Sequence, residues 1–150
     1  MSLFGLFGRG KRGPEEPVYT DPLPGDPEAI ALAFCADHTA WNAFAAASHA
    51  KSGDFTAAEA TYDRLIALYC GPEKEHLLLA FGGDSRFEPE GAAVTGREEG
   101  AGGCTIFLRH TNAHDFVAEY EFVFRQERER WLLDEVYYLD DYGGEKLPSL

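Results

Sequence analysis

Phe116-Val117-Ala118-Glu119-Tyr120-Glu121-Phe122-Val123-Phe124-Arg125, then Gln126-Glu127-Arg128-Glu129-Arg130, then Trp131-Leu132-Leu133-Asp134-Glu135-Val136-Tyr137-Tyr138-Leu139, is the stretch that decides the fold class. In its first part Phe116, Ala118, Tyr120, Phe122 and Phe124 recur at every second position, and Asp115, Glu119, Glu121 and Arg125 hold most of the alternate ones. That period predicts a half-buried strand. The charged run 126–130 has no apolar residue and cannot enter a core, and 131–139 is again aromatic and aliphatic. The reading is an antiparallel hairpin with one face dry and one wet, in which Trp131→Ala costs ~3 to 5 kcal/mol if the indole is buried in the core and below about 1 if it lies at the surface. No catalytic signature lies on it.

Working outward, the chain upstream is helical in period. Asp26 stands as N-cap, Pro27 at the first helical position and Glu28 in the first turn, and Ile30, Phe34, His38 or Trp41, Ala45 and Ser48 form a stripe to about His49. Lys51-Ser52-Gly53-Asp54 makes a turn. Thr56 and Glu59 have the spacing of a capping box for a second helix, with Phe55, Ala58, Tyr62, Leu65, Ile66 and Tyr69 as its apolar face and Gly71-Pro72 as a left-handed stop. Beyond Leu77 glycines punctuate short segments, of which 92–98 and 104–111 read as strands, the latter with Cys104, Ile106 and Leu108 on one face and Thr105, Phe107 and Arg109 on the other. Two long helices followed by three or four antiparallel strands define an α+β fold, the sheet bent over its helices as a cone with a pocket inside.

Length and charge set the limits. With 150 residues, 45% of them hydrophobic, the chain suits one core, so residues 26–150 are expected as a single domain behind a flexible tail and linker at 1–25. The formal charge is -13, and without the first thirteen residues, which hold Arg9, Lys11 and Arg12, 10 bases face 26 acids, or -16. Such a surface repels phosphate backbones and attracts basic partners, which argues against nucleic acid as a direct ligand.

Cys35, Cys70 and Cys104 are odd in number and in no C-x-x-C spacing, so they predict free thiols of a cytoplasmic protein, without disulfides or zinc. Leu3, Phe4, Leu6 and Phe7 precede a basic cluster but are broken by glycine, too short for a signal segment. No later segment is apolar enough for stable membrane insertion. His110 and His114 fall at a strand end and a loop, where their spacing does not make a metal pair, and the turn 140–145 lacks the alternation of a calcium loop. Neither a metal nor a cofactor is expected.

The helix-helix-meander order, with His38-Thr39-Ala40-Trp41-Asn42 on the first helix, residues 62–70 on the second and the end from Tyr120 through Asp141 to Leu147, resembles the nuclear transport factor 2-like superfamily. Within it the chain looks most like bacterial immunity proteins of that fold. The resemblance spans roughly 27–150 and implies binding and neutralisation of a cognate toxin in the cytoplasm, with pairing of two copies as a further partner expectation. Many such toxins are nucleases with basic surfaces, which an acidic protein would meet with electrostatic steering.

The candidate partner-binding residues are Glu119, Glu121, Glu135, Tyr137, Tyr138, Asp140, Asp141 and Tyr142, where tyrosine is mixed with acid. The alternative function is small-molecule binding or isomerase- or dehydratase-type catalysis in the cone pocket, with Asp37, His38 and Tyr62 as the acid-base candidates. A buried, hydrogen-bonded core histidine is the simpler reading of His38 and ranks the enzyme second.

Overall fold

Helix α1 (Pro27–Ser52) starts where the sequence puts it: Asp26 is extended at φ -104°, ψ 134°, and its Oδ2 accepts from the Glu28 N–H at 3.1 Å. The computed structural model describes residues 13–76, 79–140 and 144–150. α1 runs past His49 because the residue that stops it is Gly53, left-handed at φ 78°, whose N–H bonds the His49 carbonyl at 2.8 Å. Helix α2 (Thr56–Cys70) departs from expectation at both ends. Its cap residue is Phe55, with no side-chain cap bond, and Asp54 Oδ1 accepts from the Thr56 N–H at 3.0 Å. Thr56 is already inside the helix, so the Thr56/Glu59 box does not form. Gly71 has positive φ (92°) but ψ 165°, so it turns the chain out without being a left-handed cap.

Five strands follow, β1 (Ala92–Gly100), β2 (Gly103–Thr111), β3 (Val117–Glu127), β4 (Arg130–Leu139) and β5 (Lys146–Pro148), in one antiparallel sheet of order β1-β2-β3-β4-β5. The fold class is therefore α+β. The hairpin of β3 and β4 is the one expected from 116–125 and 131–139, closed at Arg128, whose φ is 60°. Phe116 is not in the strand and is 72% exposed, its N–H bound to Asn112 Oδ1 at 3.0 Å. The pairing shifts register between Val123 and Phe124, where Asp134 is the extra residue of β4. The sequence did not suggest β5. It is followed by Leu150, which is buried in the core.

Both helices pack on the face carrying Ile106, Leu108, Tyr120, Phe122, Phe124, Leu133 and Val136. The Phe34 ring meets Tyr69, Phe87 and Phe122 edge-on at 5.1, 5.7 and 5.8 Å, and Trp41 Nε1 donates to the Ala58 carbonyl at 3.0 Å. The described part of the expected linker is held to the helices: Tyr19 Oη donates to the Thr61 carbonyl at 2.8 Å, and Thr20 bonds Asp37.

Trp131 is half-buried, packing on the core margin while lining an open cleft of about 520 Å³ with Pro22, Pro24 and Leu68. It is the second residue of β4 and packs against the core rather than inside it, between the two cases set out from the sequence. Trp131→Ala should therefore cost about 2 kcal/mol in urea unfolding, below the ~3 to 5 of a fully buried aromatic. A loss above about 4 would show that the ring is a core anchor after all. Among the described residues no helix is long and apolar enough to cross a membrane.

Candidate functional site

The acid-base candidates Asp37, His38 and Tyr62 are all buried. His38 on α1 is 1% exposed and sits among Phe87, Trp41, Phe34 and Tyr62, at ring separations of 4.8, 5.2, 5.6 and 6.3 Å. Neither ring nitrogen has a hydrogen-bond partner among the described residues, which corrects the expectation of a hydrogen-bonded core histidine. Burial, with repulsion from Arg86 second, pulls its pKa down to about 3, so the ring is neutral at physiological pH. Tyr62 shares this cage and its hydroxyl is pushed up by burial. Asp37 points elsewhere, its Oδ2 accepting from Tyr69 Oη at 2.6 Å and Thr20 N at 2.9 Å, its Oδ1 from Thr20 Oγ1 at 3.1 Å. The structure thus brings His38 and Tyr62 together and turns Asp37 away. The interior expected as a pocket is packed with aromatic rings at this point.

The acidic, tyrosine-bearing end is divided rather than clustered. Glu119 accepts from Arg109 Nη2 at 2.8 Å, and Glu121, only 8% exposed, pairs with Lys146 Nζ at 2.8 Å. Glu135 is 7% exposed: Oε1 takes Lys74 Nζ at 2.8 Å, and Oε2 accepts from the N–H groups of Val136, Leu150 and Ser149 at 3.0, 3.1 and 3.3 Å. It is a clamp that fixes the chain after β5 to β4. Glu121 and Glu135 are therefore not the exposed carboxylates expected, since distant lysines and backbone donors consume them. Asp140 closes a turn, its N–H bonded to the Glu145 carbonyl at 3.0 Å. Asp141 and Tyr142 lie outside the described residues.

Tyr137 and Tyr138, adjacent in sequence, fall on opposite faces of β4. Tyr138 stands beside Tyr120 at 5.8 Å on the helix-facing side. Tyr137 pairs in register with Glu121 on the outer face, which Glu121 in turn shares with Phe107. Phe107, Val123, Tyr137 and Leu139 are half-buried there without packing on the helical core. Gly96 opposes Phe107, and a Cβ on it would come within 3.3 Å of the ring, so the bare backbone lets the ring lie over β1. Ion pairs flank these residues: Arg109 with Glu119, Lys146 with Glu121, and Arg125 with Asp134 at 3.0 Å.

A second concavity, about 350 Å³, opens at the end of the sheet and is lined by Arg86, His110, Phe116, Val117, Tyr120 and Tyr138 among others. Sequence reasoning missed Arg86, which lies in an irregular stretch without periodicity. It did separate Phe107 from Ile106, the signal that points to the outer face. Cys35, Cys70 and Cys104 are free and buried, and burial pushes the Cys35 and Cys70 thiols up to about 12, which makes them unreactive. His110 is buried and His114 is exposed, and among the described residues no three His, Cys, Asp or Glu side chains are grouped to hold a metal. Comparison with known protein families, curated proteins and solved structures finds no match for this chain.

Proposed function

We propose that this chain is a binding protein whose contact surface is the outer face of its sheet, and that its partner is a basic protein. The observation that carries this reading is the outer face, which neither helix covers among the described residues: both helices lie on the other side, and Phe107 and Tyr137 stand amid charged pairs, an apolar centre with a polar rim. The charge of -13 favours fast encounter with a cationic surface. In the terms of the family resemblance, this is a bacterial immunity protein of the cone-shaped nuclear transport factor 2-like fold, neutralising a cognate toxin, basic nucleases included, in the cytoplasm. The order of two helices before an antiparallel sheet supports that finer fold reading. The sealing of His38 and Tyr62 weighs against the enzyme alternative.

The test is co-expression with a toxin domain found in the neighbouring genes, whose absence would count against the immunity reading, protein levels being matched. Tyr137→Ala and Phe107→Ala should each speed dissociation about 30-fold, equivalent to ~2 kcal/mol, and abolish protection. Glu119→Gln on the rim should chiefly slow association and lessen its salt dependence. Full protection by a folded Phe107→Glu/Tyr137→Ala double variant would overturn the choice of surface. If that variant changed only the oligomeric state, the face would serve pairing of two copies.

A further inference from the structure

We propose that the cleft at the end of the sheet binds a small organic monocarboxylate with a flat apolar body, held by Arg86. This site lies at the end of the sheet beside Tyr120 and Tyr138, and includes neither Phe107 nor Tyr137 of the outer face. Arg64, Lys74, Arg97, Arg109, Arg125 and Lys146 each have a carboxylate at 2.7 to 3.0 Å. Arg86 has none at ion-pair distance among the described residues, although acids outnumber bases two to one along this chain. Unlike Arg128 and Arg130 on the β3–β4 turn, which are exposed, it is half-buried. Its Nη2 donates to the Ser149 carbonyl at 3.3 Å and its guanidinium stacks on Phe87 at 5.1 Å. That leaves donors of a planar fork suited to two oxygens of one carboxylate.

The surroundings select the rest of the ligand. Phe116, Val117 and Tyr138, 72%, 53% and 36% exposed, are three of the seven exposed large hydrophobic residues described, and all three line this cleft. Tyr138 and Tyr120 supply ring faces for a flat body. His110 lines the same cleft, but its Nε2 is buried and lies beside Gly91, where a Cβ would come within 3.2 Å, so it offers the ligand no polar contact. Asp84, exposed, also lines it, and Glu88 acts electrostatically on His110. One guanidinium with two carboxylates nearby suits a monoanion and disfavours inorganic phosphate. A volume of about 350 Å³ fits a ligand of one ring and a short acid arm.

The probe is phenylacetate, titrated against the full chain by two-dimensional amide NMR, with phenylacetamide and inorganic phosphate alongside. Saturable shifts are expected around Arg86, Ala118 and Tyr138, with phenylacetamide and phosphate about tenfold weaker or more. Arg86→Gln should weaken phenylacetate about tenfold and leave phenylacetamide unchanged, whereas Tyr138→Ala should weaken both. Because Tyr138 is a surface residue, its variant tests the cleft even if Arg86→Gln loosens the C-terminal contact. Equal binding of acid and amide, an unchanged affinity in folded Arg86→Gln, or no saturable shift with phenylacetate would each overturn the proposal.

Discussion

Asp37→Ala is expected to lower the unfolding free energy by about 3 to 5 kcal/mol, because it strands buried donors on two other segments. The carboxylate of α1 accepts from Tyr69 Oη of α2 at 2.6 Å and from Thr20 N and Oγ1 at 2.9 and 3.1 Å, and so joins the stretch before α1 to both helices. Burial and the Asp37 hydrogen bond both push the Tyr69 hydroxyl upward, which keeps it protonated and able to donate. Asp37→Asn should cost less, about 1 kcal/mol, since an amide oxygen at the Oδ2 position can still accept from Tyr69 Oη and Thr20 N and the NH₂ can donate to the Thr20 hydroxyl, leaving only the charge lost. Tyr69→Phe removes donor and hydroxyl together and should cost about 1 kcal/mol. Chemical denaturation of the three variants and of the Asp37→Ala/Tyr69→Phe pair would measure the coupling. A loss under about 1 kcal/mol in Asp37→Ala would show that the carboxylate is not structural and would reopen a chemical role.

The elements that could be read ahead of the structure are those whose partners are close in sequence. Asp26 caps α1 because its acceptor reaches Glu28, two residues on, and the β3–β4 hairpin is readable because its two halves carry complementary apolar faces about a turn whose closing link is short. The Thr56/Glu59 box failed by the same local logic, since the competing acceptor, Asp54, sits only two residues earlier. β5 escaped notice because three residues cannot display a period.

The candidate site was harder to read because its chemistry is long-range. Glu135 looks like any strand carboxylate until Lys74 and the backbone of Leu150 are folded onto it, and Glu121 likewise until β5 brings Lys146 alongside. Tyr137 and Tyr138 read as one aromatic cluster although the strand's pleat sends them to opposite faces, a separation that the period of two already implies. Arg86 carries no sequence signal, and its interest comes entirely from what surrounds it.

Acid should destabilise this protein through His38, and replacing that residue by leucine should remove the effect. An imidazole in the unfolded chain titrates near 6.5, and the buried one near 3. Between those values the unfolded chain holds the extra proton, so stability falls as pH is lowered from 6.5. The slope approaches ~1.4 kcal/mol per pH unit and totals on the order of 4 to 5 kcal/mol by pH 3, below which both forms are protonated and the loss no longer grows. Burial causes most of the shift, and Arg86 adds repulsion of the imidazolium. At pH 7 the leucine variant should be as stable as the parent or about 1 kcal/mol more so, because two buried nitrogens without partners among the described residues are replaced by hydrocarbon of similar volume. Other groups also lose stability in acid, Asp26 among them, held low by the Arg97 guanidinium. They are common to both proteins and cancel in the difference. Unfolding free energies of parent and His38→Leu measured from pH 7 to pH 4 should therefore diverge steadily below 6.5. Parallel curves, or a variant destabilised by more than about 2 kcal/mol at pH 7, would mean that the imidazole has a polar partner inside the folded protein.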